Sequence, residues 1–284
     1  PPATKSDYWI PIRPNSDTAL FLGISKIIMD EKLYDEDFVK KFTDLPLLVR
    51  TDNLKRLKAA DVMPGYKNTD LSDSYSFKVQ GMTEEQREDA GDFVVWDTKT
   101  NTIKAVSRED VGDKLTARGI DPALEGKFNL TTVDGKQVEV IPLYQMYQIH
   151  LRDYDLDTVH DITHAPKELV KRLANDLATI SPAAIHQGEG VNHYFHATEI
   201  NRSTYLPLML TGNIGKPGSG SHTWAGNYKA GLFQGSPWTG PGFAGWVKED
   251  PFNLNLDPDS SGRDVKVKAY QKGEEPAYWD HGDK

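Results

Sequence analysis

The sequence predicts an α/β fold with an inserted β-rich region. Apolar residues recur at helical spacing near the start of the chain and again after residue 166. Short runs of β-branched and aromatic residues lie between these segments, and glycine-rich loops follow the second one. We therefore expect residues 1–46 and 148–284 to form α/β regions, and residues 47–147 to form a β-rich insertion with its connections.

The first elements in chain order are a short strand, a turn and two helices. Residues 8–12 predict the strand, and the turn 13–16 leads into a helix that runs from Asp17 to about residue 29. Asn15 or Ser16 is expected to cap this helix, and the Asp17 carboxylate is favoured in its first turn by the helix dipole. A second short helix is expected from about residue 35 to residue 42.

The middle of the chain changes character, with short strands and turn sequences. A polar stretch that lacks apolar periodicity is expected to be an exposed insertion at residues 67–91. Two turn sequences fit hairpin connections. The predicted strands are 47–50, 93–96 and 137–140, and the predicted turns are 97–101 and 134–135.

The last third of the chain begins with the clearest helix, residues 166–178. Pro166 suits its first turn, and Leu169, Val170, Leu173 and Leu177 form one apolar stripe. A short buried strand is expected next, followed by a glycine-rich loop. Residues 198–210 predict a helix that Pro207 should kink.

Composition and charge exclude several classes of protein. The formal net charge of −9 at pH 7 argues against a nucleic-acid partner, which requires a basic surface. The sequence has no run of about 18 apolar residues that could span a membrane. With no cysteine, this chain offers no thiolate ligand for an iron–sulfur cluster and no thiol nucleophile.

Residues 188–196, GEGVNHYFH, are the richest in functional groups, and we call them the glycine–histidine loop. His193 and His196 have the i, i+3 spacing of two metal ligands on one helical turn, but no third ligand lies nearby in the sequence. Glu189 and Asn192 could orient an imidazole or hydrogen-bond a heterocycle. The alternative is a tight turn whose polar groups satisfy one another, and spacing alone favours this alternative.

Other segments also allow two interpretations. The loop 212–222 could cradle a phosphate with Lys216, but it matches neither the P-loop nor the dinucleotide-binding motif, and a glycine C-cap followed by an ordinary turn is the favoured interpretation. Asn15, Ser16 and Asp17 could hold the N1/N2 edge of a guanine or simply cap a helix. The acidic and histidine residues between 153 and 164 are interpreted as a solvated face rather than a metal cluster.

Taken together, four segments in this order resemble one family. They are WIPIRPNSDTAL (9–20), FTDLPLLVRTD (42–52), the glycine–histidine loop and LTGNIGKPG (210–218). The chain resembles the catalytic subunit of molybdenum oxidoreductases of the dimethyl sulfoxide reductase family. Within this family, residues 192–196 and the segment SHTWAGNYKAG (221–231) are similar to the respiratory nitrate reductase and nitrite oxidoreductase branch.

The resemblance implies roles for particular residues. Asn15, Ser16 and Asp17 match a turn that holds one guanosine end of a molybdenum bis(molybdopterin guanine dinucleotide) cofactor. A second set matches the loop that approaches the pterin and the metal, and Asn227 is expected to face the cofactor as well. The members of that second set are Gly188, Glu189, Gly190, Asn192 and His193. His193 and Asn192 are the expected catalytic residues, and no residue of this chain is expected to be a metal ligand.

The resemblance also implies an activity, partners and a location. Oxygen-atom transfer at molybdenum would be coupled to two-electron transfer, with nitrite oxidised to nitrate and electrons leaving through iron–sulfur clusters. Expected partners are an iron–sulfur electron-transfer β subunit, a membrane or haem γ subunit and a small anionic substrate. The complex is expected to be membrane-associated through these partners, on the periplasmic side.

The chain is expected to be an internal fragment of such a subunit that is inactive alone, because the [4Fe-4S] ligands and the molybdenum ligand of the family lie outside it. One alternative within the family is a respiratory nitrate reductase or another oxyanion reductase. An alternative of another class is a non-catalytic nucleotide-binding module, which would bind its ligand as an isolated chain.

Overall fold

The structure is a computed structural model that describes residues 2–69 and 91–223. Helices and strands alternate in these ranges, and the predicted α/β class is confirmed as a mixed helix and strand architecture. The helices are α1 (Asp17–Asp30), α2 (Glu36–Phe42), α3 (Ala59–Val62), α4 (Asp113–Ala117), α5 (Leu143–His150), α6 (Leu156–Thr163), α7 (Lys167–Thr179), α8 (Ala197–Ser203) and α9 (Tyr205–Leu210). The strands are β1 (Leu48–Arg50), β2 (Phe93–Asp97), β3 (Thr102–Val106), β4 (Phe128–Thr131), β5 (Gln137–Pro142), β6 (Ala184–Gln187) and β7 (Gly220–Thr223).

Helix α1 is the centre of the helical part of the molecule. It packs against α6, α7, α8 and α9, and it buries Leu20, Ile24 and Ile28 in the main hydrophobic core. Gly23 permits the close approach of α6, because a Cβ atom at this position would lie only 2.4 Å from Cγ2 of Val159. The predicted apolar spacing of α1 therefore corresponds to a helix that is surrounded by other helices.

Residues 8–12 do not form the predicted strand and have no strand pairing. The Tyr8 hydroxyl donates to Oδ2 of Asp176 at 2.8 Å, and the Arg172 guanidinium lies 4.2 Å from the centre of the Tyr8 ring. Burial and this hydrogen bond raise the pKa of Tyr8 to about 12. The segment is therefore held by side chains of α7, not by a neighbouring strand.

The β-rich part consists of antiparallel pairs. Strands β1, β5 and β4 form one sheet in that order, and β2 and β3 form a hairpin. The predicted turns at 97–101 and 134–135 connect β2 to β3 and β4 to β5. The rings of Trp96 and Phe128 stack at 4.0 Å, which joins the hairpin to the sheet.

The predicted helix at 198–210 is two helices rather than one kinked helix. Helix α8 ends at Ser203, and α9 begins at Tyr205. Pro207 lies in the first turn of α9, where its missing N–H group leaves no helical hydrogen bond unmade. The chain therefore breaks before the proline instead of bending at it.

Two further predictions are only partly addressed by the described residues. The domain boundaries at 46/47 and 147/148 stay a prediction, and strands β1 to β5 all lie between them. Most of the predicted insertion at 67–91 and the whole segment 224–284 lie outside the described ranges. Within those ranges, no helix is long and apolar enough to cross a membrane.

Candidate functional site

The glycine–histidine loop follows β6 and leads into α8. A turn of 3-10 helix, Glu189–Asn192, forms its first half. Most of its side chains are exposed, including Asn192 and His193, and Phe195 is 78% exposed. The loop therefore presents its polar groups outward from a base formed by β6 and α8.

Gly188 and Gly190 lie in this loop without a conformational need for glycine. Neither residue has a positive φ, and a Cβ atom built on either one meets no other atom within 4 Å. The described part of the chain thus leaves open space above both residues. A backbone without side chains at such positions allows a bound group to approach closely.

The base of the loop is fixed by a hydrogen-bond network. Nδ2 of Asn201, on α8, donates to Oδ1 of Asn192 at 2.7 Å and to the carbonyl of Ala197 at 2.7 Å. Gln187, the last residue of β6, is 6% exposed, and its Nε2 donates to the hydroxyls of Thr204 and Ser221. Oε1 of Gln187 is buried and has no hydrogen-bond partner in the described structure.

The two histidines of the loop differ in their surroundings. His196 has a positive φ of 62°, its Nδ1 lies 3.6 Å from a carboxylate oxygen of Glu199, and its ring contacts that of Phe195 at 4.0 Å. The His193 side chain is exposed and has no hydrogen bond within the described ranges. His196 thus lies beside a neighbouring carboxylate and an aromatic ring, whereas the described residues leave His193 open to a ligand.

The turn at Asn15, Ser16 and Asp17 lies at the start of α1, but the predicted side-chain cap is wrong. Ser16 occupies the N-cap position, and its hydroxyl donates to the Arg13 carbonyl at 2.6 Å instead of accepting from the helix. Asn15 adopts a positive φ of 67° and is exposed. Asp17 is half-buried, and this burial raises the pKa of its carboxyl group. The start of α1 therefore has no cap from the Ser16 side chain, and the Asp17 carboxylate interacts with its own backbone N–H group.

The first half of the loop 212–222 makes contacts that stabilise the fold. Asn213 is fully buried; its Oδ1 accepts from the amide of Ala183, and its Nδ2 donates to the carbonyl of Leu177. Gly212 has a φ of +64°, and a Cβ atom there would lie 2.7 Å from Oδ2 of Asp35. These contacts support the interpretation as a helix C-terminus followed by a turn, and Lys216 is exposed.

The acidic and histidine residues between 153 and 164 have structural contacts. Asp155 caps α6 by accepting from the amide of Thr158, and Asp157 pairs with Lys167. His160 bonds through Nδ1 to the Ala165 carbonyl at 2.8 Å. No group of three metal-binding side chains occurs within the described residues.

The structure places the two candidate segments on one helical assembly. Helix α8 continues directly from the glycine–histidine loop and packs against α1, which continues from the Asn15–Asp17 turn. Asn227 lies outside the described residues, and nothing is described for the Glu189 side chain. A cavity of about 420 Å³ lies elsewhere, and no residue of either segment lines it; its walls come from α2, β2, β3 and α4, with residues such as Lys41, Phe42, Phe93, Val95 and Leu115.

Sequence reasoning missed Gln187, Asn201 and Thr204, which fix the base of the loop. The hydrogen bonds that connect them to the loop and to each other include long separations in the sequence: 9 residues for Asn201 and Asn192, and 17 for Gln187 and Thr204. The signal in the sequence was a glutamine at the end of the short strand β6, directly before the loop.

Comparison with known proteins identifies the family. The family model for molybdopterin oxidoreductases matches residues 2–269. The chain therefore belongs to the molybdopterin oxidoreductase family.

Individual relatives come from several enzymes. The chain is 33% identical to perchlorate reductase subunit alpha of Dechloromonas aromatica over 80% of the chain and 24% of that protein. It is 32% identical to respiratory nitrate reductase subunit alpha of Haloferax mediterranei over 97% of the chain and 28% of that protein. It is 28% identical to dimethylsulfide dehydrogenase subunit alpha of Rhodovulum sulfidophilum over 79% of the chain and 22% of that protein. The chain thus spans about a quarter of the length of these relatives.

Proposed function

We propose that this chain is part of the catalytic subunit of a molybdenum oxidoreductase, and that two of its segments face the cofactor. The observation that carries this proposal is the open space above Gly188 and Gly190. Neither the backbone conformation nor the packing of the described residues requires glycine at these two positions. The buried, unpartnered Oε1 of Gln187 directly before the loop supports it, because such an atom costs about 1–3 kcal/mol unless a donor arrives.

The residues of the chain fit parts of a molybdenum bis(molybdopterin guanine dinucleotide) cofactor. Asn15, Ser16 and Asp17 would hold a guanosine end, because the Asp17 carboxylate can accept hydrogen bonds from the N1–H and N2–H groups of a guanine. Gly188, Glu189, Gly190, Asn192 and His193 would line the pterin side, together with Asn227. When bound, the cofactor supplies oxygen-atom transfer coupled to a two-electron change.

For the substrate, we propose nitrite, which the enzyme oxidises to nitrate. In this reaction nitrite gains one oxygen atom from water and releases two protons and two electrons. The exposed donors of Asn192 and His193 suit a small oxyanion, whose charge the net charge of −9 would otherwise repel. The resemblance of residues 221–231 to the alpha subunit of nitrite oxidoreductase supports nitrite, and two of the relatives are named for other oxyanions, perchlorate and nitrate.

A substitution of His193 tests this function most directly. In the full-length enzyme, His193→Ala should raise KM for nitrite or lower kcat by at least about tenfold, because one charge-assisted hydrogen bond is worth about 1.5–3 kcal/mol. Steady-state kinetics with matched molybdenum content measures this. His160→Ala is the control, since the His160 side chain hydrogen-bonds the Ala165 carbonyl and stacks on the His164 ring, and neither partner belongs to the two candidate segments. Wild-type kinetics of His193→Ala at full molybdenum content would contradict the assignment.

Two alternatives differ in what they predict. A nitrate reductase or another oxyanion reductase would keep the cofactor and favour the opposite direction or another anion, which a substrate panel with the full-length enzyme separates. A non-catalytic nucleotide-binding module would bind guanine nucleotides tightly as the isolated chain, which calorimetry tests. The proposal expects neither catalysis nor tight binding from the isolated chain.

We further propose partners and a location for the full-length protein. The relatives named above are alpha subunits, which suggests an iron–sulfur β subunit as the electron acceptor and a membrane or haem γ subunit beside it. The [4Fe-4S] cluster of the catalytic subunit would use ligands outside this chain, which has no cysteine. The complex would be membrane-associated on the periplasmic side, and fractionation of cells tests this.

A further inference from the structure

Asn201 holds the side chain of Asn192 from behind. The Nδ2 atom of Asn201 lies 2.7 Å from Oδ1 of Asn192 and 2.7 Å from the carbonyl oxygen of Ala197. Each of its two N–H groups therefore has one acceptor. Asn192 is exposed, and within the described part of the chain its side chain hydrogen-bonds only to Asn201.

This geometry fixes which way both amides face. A backbone carbonyl only accepts, so Asn201 has to place its amide nitrogen, not its oxygen, beside Ala197. The same nitrogen donates to Oδ1 of Asn192, so the amide oxygen of Asn192 faces α8. The amide nitrogen of Asn192, with two N–H donors, is left for a partner outside the loop.

The position of Asn201 is itself anchored in the fold. The Thr204 hydroxyl donates to the Asn201 carbonyl at 2.8 Å, and Nε2 of Gln187 donates to the same hydroxyl. Gln187 also donates to Ser221 on β7 at 2.7 Å. Strands β6 and β7 form a two-stranded sheet, and a continuous set of hydrogen bonds connects it to α8 and, through Asn201, to the glycine–histidine loop.

We propose that Asn201 is a positioning residue that gives the site its preference for oxyanions. It holds Asn192 with the N–H donors outward, and donors attract an oxyanion whereas an outward amide oxygen would repel it. The inference rests on the proposed function and deepens it, because it names the residue that sets the polarity of the substrate contact.

The test is a double-mutant cycle in the full-length enzyme with its partner subunits. Asn201→Asp keeps the shape but cannot donate, so its carboxylate should reverse the Asn192 amide. Two constants are measured: KM for nitrite, and the dissociation constant of nitrate from the change in the molybdenum EPR signal. Both should rise about tenfold, the value of one lost hydrogen bond to a charge.

The cycle separates positioning from a structural role. In an Asn192→Ala background, Asn201→Asp should change both constants by less than about twofold, because coupled residues are non-additive. Asn175→Asp, the same change at an exposed position of α7, is the control and should leave both constants unchanged. If Asn201→Asp loses molybdenum, Asn201→Leu takes its place in the cycle, with a several-fold increase expected from the freed amide.

Different results overturn different claims. Equal effects of Asn201→Asp in both backgrounds would mean that it acts through charge or folding, and the positioning role would be wrong. Unchanged constants in Asn192→Ala, at full molybdenum content, would remove Asn192 as a donor and the inference with it. A wild-type enzyme that contains molybdenum but binds no oxyanion would overturn the proposed function itself.

Discussion

Two kinds of glycine occur near the candidate site, and they differ in why glycine is needed. Gly212 has a φ of +64°, and any side chain there would meet Asp35. Gly188 and Gly190 have ordinary backbone angles and open space around them. The first requirement belongs to the folded chain itself, and the second concerns what the chain binds.

This difference predicts opposite outcomes for two substitutions in the full-length subunit. Gly188→Ala should leave the melting temperature of cofactor-free protein unchanged or slightly raised, because alanine reduces the entropy of the unfolded chain without a clash. It should lower molybdenum content, because the added methyl group occupies the space proposed for the cofactor. Thermal unfolding of cofactor-free protein and metal analysis of the purified enzyme measure the two effects.

Gly212→Ala is the matched control. It should destabilise the cofactor-free protein by about 1–2 kcal/mol, the usual cost of a left-handed conformation for a residue with a Cβ atom. Full molybdenum content in Gly188→Ala and Gly190→Ala enzymes would contradict the role given to these two glycines.

At the scale of elements, α1 connects the two candidate segments. Its first turn carries Asp17, and its flank packs against α8, which begins where the glycine–histidine loop ends. The close approach of α6 at Gly23 fixes α1 further, because only a residue without a side chain fits beside Val159. The spacing of the two segments therefore depends on how tightly the helices pack.

Gly23→Ala should weaken this packing by about 1–3 kcal/mol, the usual cost of an added methyl group in a filled core. Hydrogen exchange of the α1 and α6 amides in the full-length protein should become faster by about tenfold or more, which corresponds to 1.4 kcal/mol. Adding Val159→Ala should restore part of the protection, because it removes the methyl group that clashes. Slower exchange in Gly23→Ala alone, from better helix propensity, would show that the two helices have room to spare.

At the scale of the whole molecule, local patterns predicted the elements and missed the long-range contacts. Helical spacing gave α1 and α7, and turn residues gave both hairpins, because these signals lie within a few residues. The prediction of a strand at 8–12 was wrong because this segment is held by Asp176, which lies 168 residues away from Tyr8 in the sequence. The cap of α1 was wrong because Ser16 has a competing acceptor, the Arg13 carbonyl.

The candidate site shows the same limit. The glycine–histidine loop was found from its composition, but the roles of its residues came from the resemblance. That Asn201 orients Asn192 follows only from the carbonyl of Ala197, whose position requires the folded α8. The sequence therefore did not predict the residues, such as Asn201, that position other site residues.

We propose above that two segments of this chain contact a guanine-dinucleotide form of molybdopterin. The most direct measurement is the molybdenum and guanine content of the purified full-length subunit, in wild type and in Asp17→Ala. We expect both components in the wild type and a loss of guanine with molybdenum in Asp17→Ala, while His160→Ala retains both. A wild-type protein that contains neither component, or Asp17→Ala protein that retains both at the wild-type level, would contradict it.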